Sequence, residues 1–179
     1  MRQMRQSSKT AVCAMVAALS VVVMMLTVIP VMTYTAPAFA GLLLIIIVIE
    51  VDKKWACGVY VAVSALGLLI AADKEAAVMY VVFFGYYPII KAILESKLPR
   101  WLEMVIKFII FNASMVSCYF VLINVFGMPM DDMNELGKYG PLILLAMGNV
   151  VFVLYDFALT KLVIVYQMKW QDKFRRLFK

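Results

Sequence analysis

Asp156 and Lys91 fall deep inside apolar stretches of this 179-residue chain, where a charge lacking a partner or water is disfavoured by several kcal/mol. Two chemistries fit them. An intramembrane carboxylate can bind a proton or a cation; alternatively, a carboxylate and an ammonium at similar depth form a structural ion pair, or each snorkels to the nearer headgroups. Both residues reach the same headgroup layer, and the structural Lys91–Asp156 pair is the reading adopted. A second set, Tyr34, Asp73, Lys74, Glu75, Tyr80, Asn124 and Asn149, comes from separate regions of the chain and maps to the opposite half. Aromatic and methionine side chains around a few hydrogen-bonding groups are what a small-molecule site requires, so these are the candidate substrate-binding residues. Each also has a plain structural use: tyrosine at an interface, a solvated loop charge, an asparagine bonded between helices.

Other chemistries are excluded by what is missing. The chain has no histidine, which removes the commonest metal ligand and the commonest general base. No Gly-x-x-x-x-Gly-Lys-Ser/Thr phosphate loop occurs, so ATP driving any transport is hydrolysed by another polypeptide. Asp156 has no second inward carboxylate expected beside it, and the chain is read as a non-enzyme with no cofactor and no metal. Cys13, Cys57 and Cys118 sit at different depths in apolar stretches, which reads as small apolar filler rather than a disulfide framework.

The elements that must position these groups are set by hydropathy. Hydrophobic residues make up 65% of the chain and mean hydropathy is +0.95, against roughly half apolar in a soluble domain. Six apolar stretches, 11–29, 36–50, 55–72, 76–94, 102–127 and 141–166, are read as spans of one transmembrane domain covering 1–179. Basic residues segregate between the two sides. One side receives Arg2, Arg5, Lys9, Lys53, Lys54, Lys91, Lys97, Arg100, Lys107, Lys161 and the tail from Lys169 to Lys179; the other receives Lys74 and Lys138. Because short basic loops stay cytoplasmic, both termini are expected inside. The formal charge of +6 resides at helix ends and in the tail 167–179, where it meets anionic headgroups rather than nucleic acid.

Along the chain, Ala14 and Ala18 lie one turn apart on a smooth face of the first span, and Gly58, Ala62 and Ala65 form another on the third. The second span, all Leu, Ile and Val up to Glu50, reads as lipid-facing over most of its circumference. Pro88 removes a backbone bond to residue 84 and predicts a kink, with Gly85 leaving room beside it. The outer loop from Met128 to Tyr139, with Asp131, Asp132 and Glu135, could form a lid. Ala38-Phe39-Ala40 has the form of a signal-peptidase site, but Ala11 to Ile29 is too long for a signal core, and cleavage would set Lys53 and Lys54 against the charge pattern. The segment is read as retained. No internal repeat is evident.

The segment Lys9-Thr10-Ala11-Val12-Cys13-Ala14-Met15-Val16-Ala17-Ala18-Leu19-Ser20, opening a six-helix protein of this size, resembles the substrate-binding S component of energy-coupling factor transporters. Asp73-Lys74 followed by Phe84-Gly85-Tyr86-Tyr87-Pro88-Ile89-Ile90-Lys91 is similar to an unassigned Firmicutes subgroup of those proteins. The resemblance implies a bacterial cell-membrane protein that captures a vitamin-like micronutrient outside. It also implies a transmembrane T component and two ATPases as partners, with Ala14 and Ala18 docking on the T component. A ligand-free scaffold subunit of the same fold, similar to rod-shape-determining membrane proteins, is the alternative.

Overall fold

The computed structural model describes residues 5–127 and 139–171, so Asp131, Asp132, Glu135 and Lys138 of the expected lid loop, Arg2, and the tail beyond Gln171 lie outside the described residues. The described residues form an all-α bundle. Its helices are α1 (Gln6–Met25), α2 (Thr35–Glu50), α3 (Lys53–Ile70), α4 (Lys74–Met79), α5 (Tyr87–Lys97), α6 (Arg100–Asn124) and α7 (Gly140–Val165). Among the described residues, five segments are long and apolar enough to cross a membrane: Gln6–Val28, Lys53–Ile70, Lys74–Lys97, Arg100–Asn124 and Leu142–Trp170. The chain is therefore a membrane-embedded helical bundle. Asp52 caps α3 by accepting from its own helix's first amide, and Asp73 caps α4 by accepting from Glu75 N at 2.9 Å.

The second apolar stretch departs from its expected place. α2 has only 16 residues, about 24 Å at 1.5 Å per residue against a hydrocarbon core of about 30 Å. It is not lipid-facing. Ala40, Leu44 and Ile47 are wholly buried, and within α2 only Thr35 and Phe39 are exposed. α2 is thus the interior helix, against which α1, α3, α5 and the middle of the fourth span pack. A helix apolar on every side is compatible with lipid or with protein around it, so composition alone does not separate the two. A helix enclosed by protein can also be shorter than the bilayer is thick.

The fourth span, α4 to α5, is broken in the middle. From Tyr80 to Phe84 the backbone widens into a π turn, closed by Gly85 N donating to Tyr80 O at 2.8 Å. The Tyr60 hydroxyl of α3 donates to the Val81 carbonyl at 2.7 Å. Pro88 has no N–H for the Phe84 carbonyl, and there Gly41 of α2 comes so close that a Cβ on it would collide with that carbonyl oxygen. Gly85 is enclosed in the same way: a Cβ would meet the Tyr60 ring at 2.5 Å and the Tyr80 ring at 2.9 Å. The kink predicted from Pro88 and Gly85 therefore extends one turn further outward, and the absence of two Cβ atoms is what lets α2 and α3 close around it.

These contacts give a direct test. Gly41→Ala should lower stability by about 1–3 kcal/mol by overpacking against backbone, whereas Gly58→Ala, whose Cβ meets nothing within 4 Å, should leave the melting temperature of the detergent-purified chain unchanged or slightly raised. Equal melting of the two variants would contradict the close approach of α2 to the broken span.

Candidate functional site

At one end of the bundle α5, α6 and α7 share a charged network. Lys91 Nζ lies 2.5 Å from Asp156 Oδ1 and 2.6 Å from Glu95 Oε1. Lys107 Nζ lies 2.5 Å from Glu103 Oε1 and 3.1 Å from both Glu95 Oε1 and Asp156 Oδ1. The Tyr87 hydroxyl donates to Asp156 Oδ1 at 2.6 Å. Side-chain exposure is 4% for Lys91 and 2% for Lys107, low enough that neither ammonium is solvated and each depends on its carboxylates. The Lys91–Asp156 contact expected from the sequence is one edge of this larger network. The expectation that no second carboxylate stands with Asp156 is corrected: Glu95 and Glu103 join it through the two lysines. Their signal was present as Lys91/Glu95 and Glu103/Lys107 at i, i+4 spacing, which marks one helix face without showing that the two faces meet.

The candidate substrate-binding residues divide into groups. Tyr34, Asp73, Lys74 and Glu75 come together at the opposite end. The Tyr34 hydroxyl donates to Glu75 Oε1 at 3.0 Å, Asp73 caps α4, and Lys74 Nζ donates to the Leu68 and Ala71 carbonyls at 2.8 and 3.3 Å, closing the C-terminal end of α3. Tyr80 stands apart from them, wholly buried beside the π turn with no partner for its hydroxyl among the described residues. Asn124 is exposed at the end of α6 and donates to Phe120 O at 2.9 Å. Asn149 forms a reciprocal amide pair with Asn112 of α6, at 3.0 and 3.1 Å, and also donates to Leu145 O. Its amide thus joins two helices, with Phe111 and Phe152 stacked at 4.7 Å nearby. Tyr86 and Ser114, whose hydroxyls lie 2.6 Å apart, link the broken span to α6 in the same manner.

A third feature lies on the outside of the bundle. Ala14 and Ala18 of α1 and Gly58, Ala62 and Ala65 of α3 are all exposed. Between α1 and α3 runs an open groove of about 400 Å³, lined by Ala14, Ala17, Gly58 and Ala62 with Lys54 and Trp55 at its charged end. The two smooth faces read separately from the sequence are therefore two walls of one surface. Small side chains at such a surface let a further transmembrane backbone approach closely.

Removing Asp156 leaves two buried ammonium groups short of a partner, so Asp156→Leu should destabilise the chain by roughly 3 kcal/mol, while Asn112→Ala combined with Asn149→Ala should show a coupling energy of about 0.5–2 kcal/mol in a double-mutant cycle. Both are measured by unfolding in detergent; additive asparagine variants would mean the amides do not pair. Comparison with known proteins gives no match to this chain among family models, curated proteins or solved structures.

Proposed function

We propose that the chain is the substrate-binding S component of an energy-coupling factor importer in a bacterial cell membrane. In this reading it captures a small vitamin-like micronutrient at the outer side, and a T component with two ATPases drives its uptake. The observation that carries the proposal is the exposure of Ala14 and Ala18 beside the α1/α3 groove. An internal packing role would have buried these alanines, whereas a docking role needs them free, and the resemblance of the first span assigns them to the T component. Lys53 and Lys54 next to the groove, with Lys9 at the start of α1, put that surface at the basic end of the bundle, the cytoplasmic end under the charge rule. Tyr34, Asp73, Lys74 and Glu75 then face outward, where a substrate arrives. Absence of any phosphate-binding loop leaves energy coupling to the partners.

A ligand-free scaffold of the same fold is the second reading. What favours it is how fully the polar groups of the outer half are used by the protein itself: Asn149 by Asn112, Tyr34 by Glu75, Lys74 by the end of α3. Ligand-dependent thermal stabilisation separates the two readings.

Ala14→Leu combined with Ala18→Leu adds bulk to an exposed face. It should abolish co-purification with the T component and ATPases while shifting the melting of the isolated chain by less than about 0.5 kcal/mol, as expected for exposed positions. Retention of a full complex by this double variant would remove the docking assignment.

A further inference from the structure

The groove between α1 and α3 starts at the basic end of the bundle and follows both helices inward, its lining running from Thr10 to Ala17 on α1 and from Lys54 to Ala62 on α3. The stretch from Lys54 to Ala62 rises about 12 Å at 1.5 Å per residue, close to the hydrocarbon thickness of one leaflet, about 15 Å. Trp55 stands at the mouth, where tryptophan marks a membrane interface. Further in, Ala14, Ala17, Gly58 and Ala62 keep the walls low and apolar, and a Cβ placed on Gly58 meets nothing within 4 Å.

An apolar groove left empty loses dispersion contacts along its lining, and in a bilayer the molecules at hand to fill it are acyl chains. Its cationic mouth sets it apart from the other exposed apolar surface. Lys54 lines the groove directly, and Lys9 lies one turn before Cys13, another lining residue, on the same face of α1. Neither lysine forms an ion pair among the described residues, whereas the Lys53 ammonium is taken by the Ala92 carbonyl at 3.2 Å. The Asp52 carboxylate is turned to the first amide of its own helix, and the positive end of the α3 dipole adds to the two ammonium groups.

We infer that the groove seats one anionic phospholipid of the cytoplasmic leaflet, an acyl chain lying against Gly58 and Ala62 and the headgroup held by Lys9 and Lys54. Basic pockets between spans on the cytoplasmic side suit anionic headgroups. The inference concerns the chain without a protein partner and does not rest on the T component; a helix docking on the same face displaces the lipid.

The test uses the full chain in phosphatidylcholine nanodiscs, with Trp101→Phe and Trp170→Phe at exposed positions, so that Trp55 is the sole tryptophan. Phosphatidylglycerol brominated on one acyl chain should quench Trp55 at a mole fraction about fivefold or more below that needed with equally brominated phosphatidylcholine, the preference conferred by even one lysine near the surface. Lys9→Gln combined with Lys54→Gln should abolish the preference. Lys97→Gln combined with Arg100→Gln, at the same end of the bundle but outside the groove lining, should leave it in place. Gly58→Leu, which fills the groove, should reduce quenching by phosphatidylglycerol to the level of phosphatidylcholine. Equal quenching by the two lipids, equal loss of preference in the two charge variants, or undiminished quenching in Gly58→Leu overturns the lipid seat. Reversal of the quenching by inorganic phosphate at matched ionic strength would assign the mouth to a free anion and overturn it as well.

Discussion

A carbonyl that loses its N–H partner inside hydrocarbon must be covered by another donor or another backbone, because no water is there to do it. The break in the fourth span is organised by that requirement. Tyr60 takes the Val81 carbonyl, and Gly41 brings α2 against the Phe84 carbonyl that Pro88 cannot serve. Covering the break draws α3 and α2 inward, and with α2 in the centre the remaining helices have an apolar axis to close around. The aromatic rings of Phe83, Phe84, Tyr87 and Tyr155 fill the space on the α7 side of the break.

Charge follows the same rule at the basic end. Two lysines and three carboxylates from three helices satisfy one another, with Tyr87 of the broken span as an additional donor. A network of this kind adds little net stability over a well-packed apolar substitute, but it is intolerant of losing one member. It specifies how α5, α6 and α7 meet. The Asn112–Asn149 pair repeats that device without charge, one and a half to two turns further out.

Helix positions, the bend at Pro88 and the segregation of basic residues were legible because each depends on local composition. α2 was not: Leu, Ile and Val face lipid and protein interior alike, and only the glycine at position 41, read against the carbonyl of residue 84, distinguishes the two. Lys107 was not legible as buried, for a related reason. It sits near a predicted interface, where a lysine normally snorkels, and its burial depends on Glu95 and Asp156 arriving from two other helices. Asn149, a candidate substrate-binding residue in the sequence, pairs with an asparagine of the neighbouring helix, which no spacing rule within one helix reveals. The small-residue faces of α1 and α3 were seen separately; that they adjoin and are both exposed is a tertiary fact.

Function turns on what occupies the α1/α3 surface in the membrane. Gly58 is the position to interrogate, since a side chain there points into open space and lines the groove. A photoreactive phenylalanine analogue installed at Gly58 in cells should cross-link to one polytopic membrane protein, and the adduct should carry two ATPase subunits through purification under mild detergent. Cross-links to lipid alone, or to a membrane protein that brings no ATPase with it, would contradict the assignment of this chain as a transporter subunit.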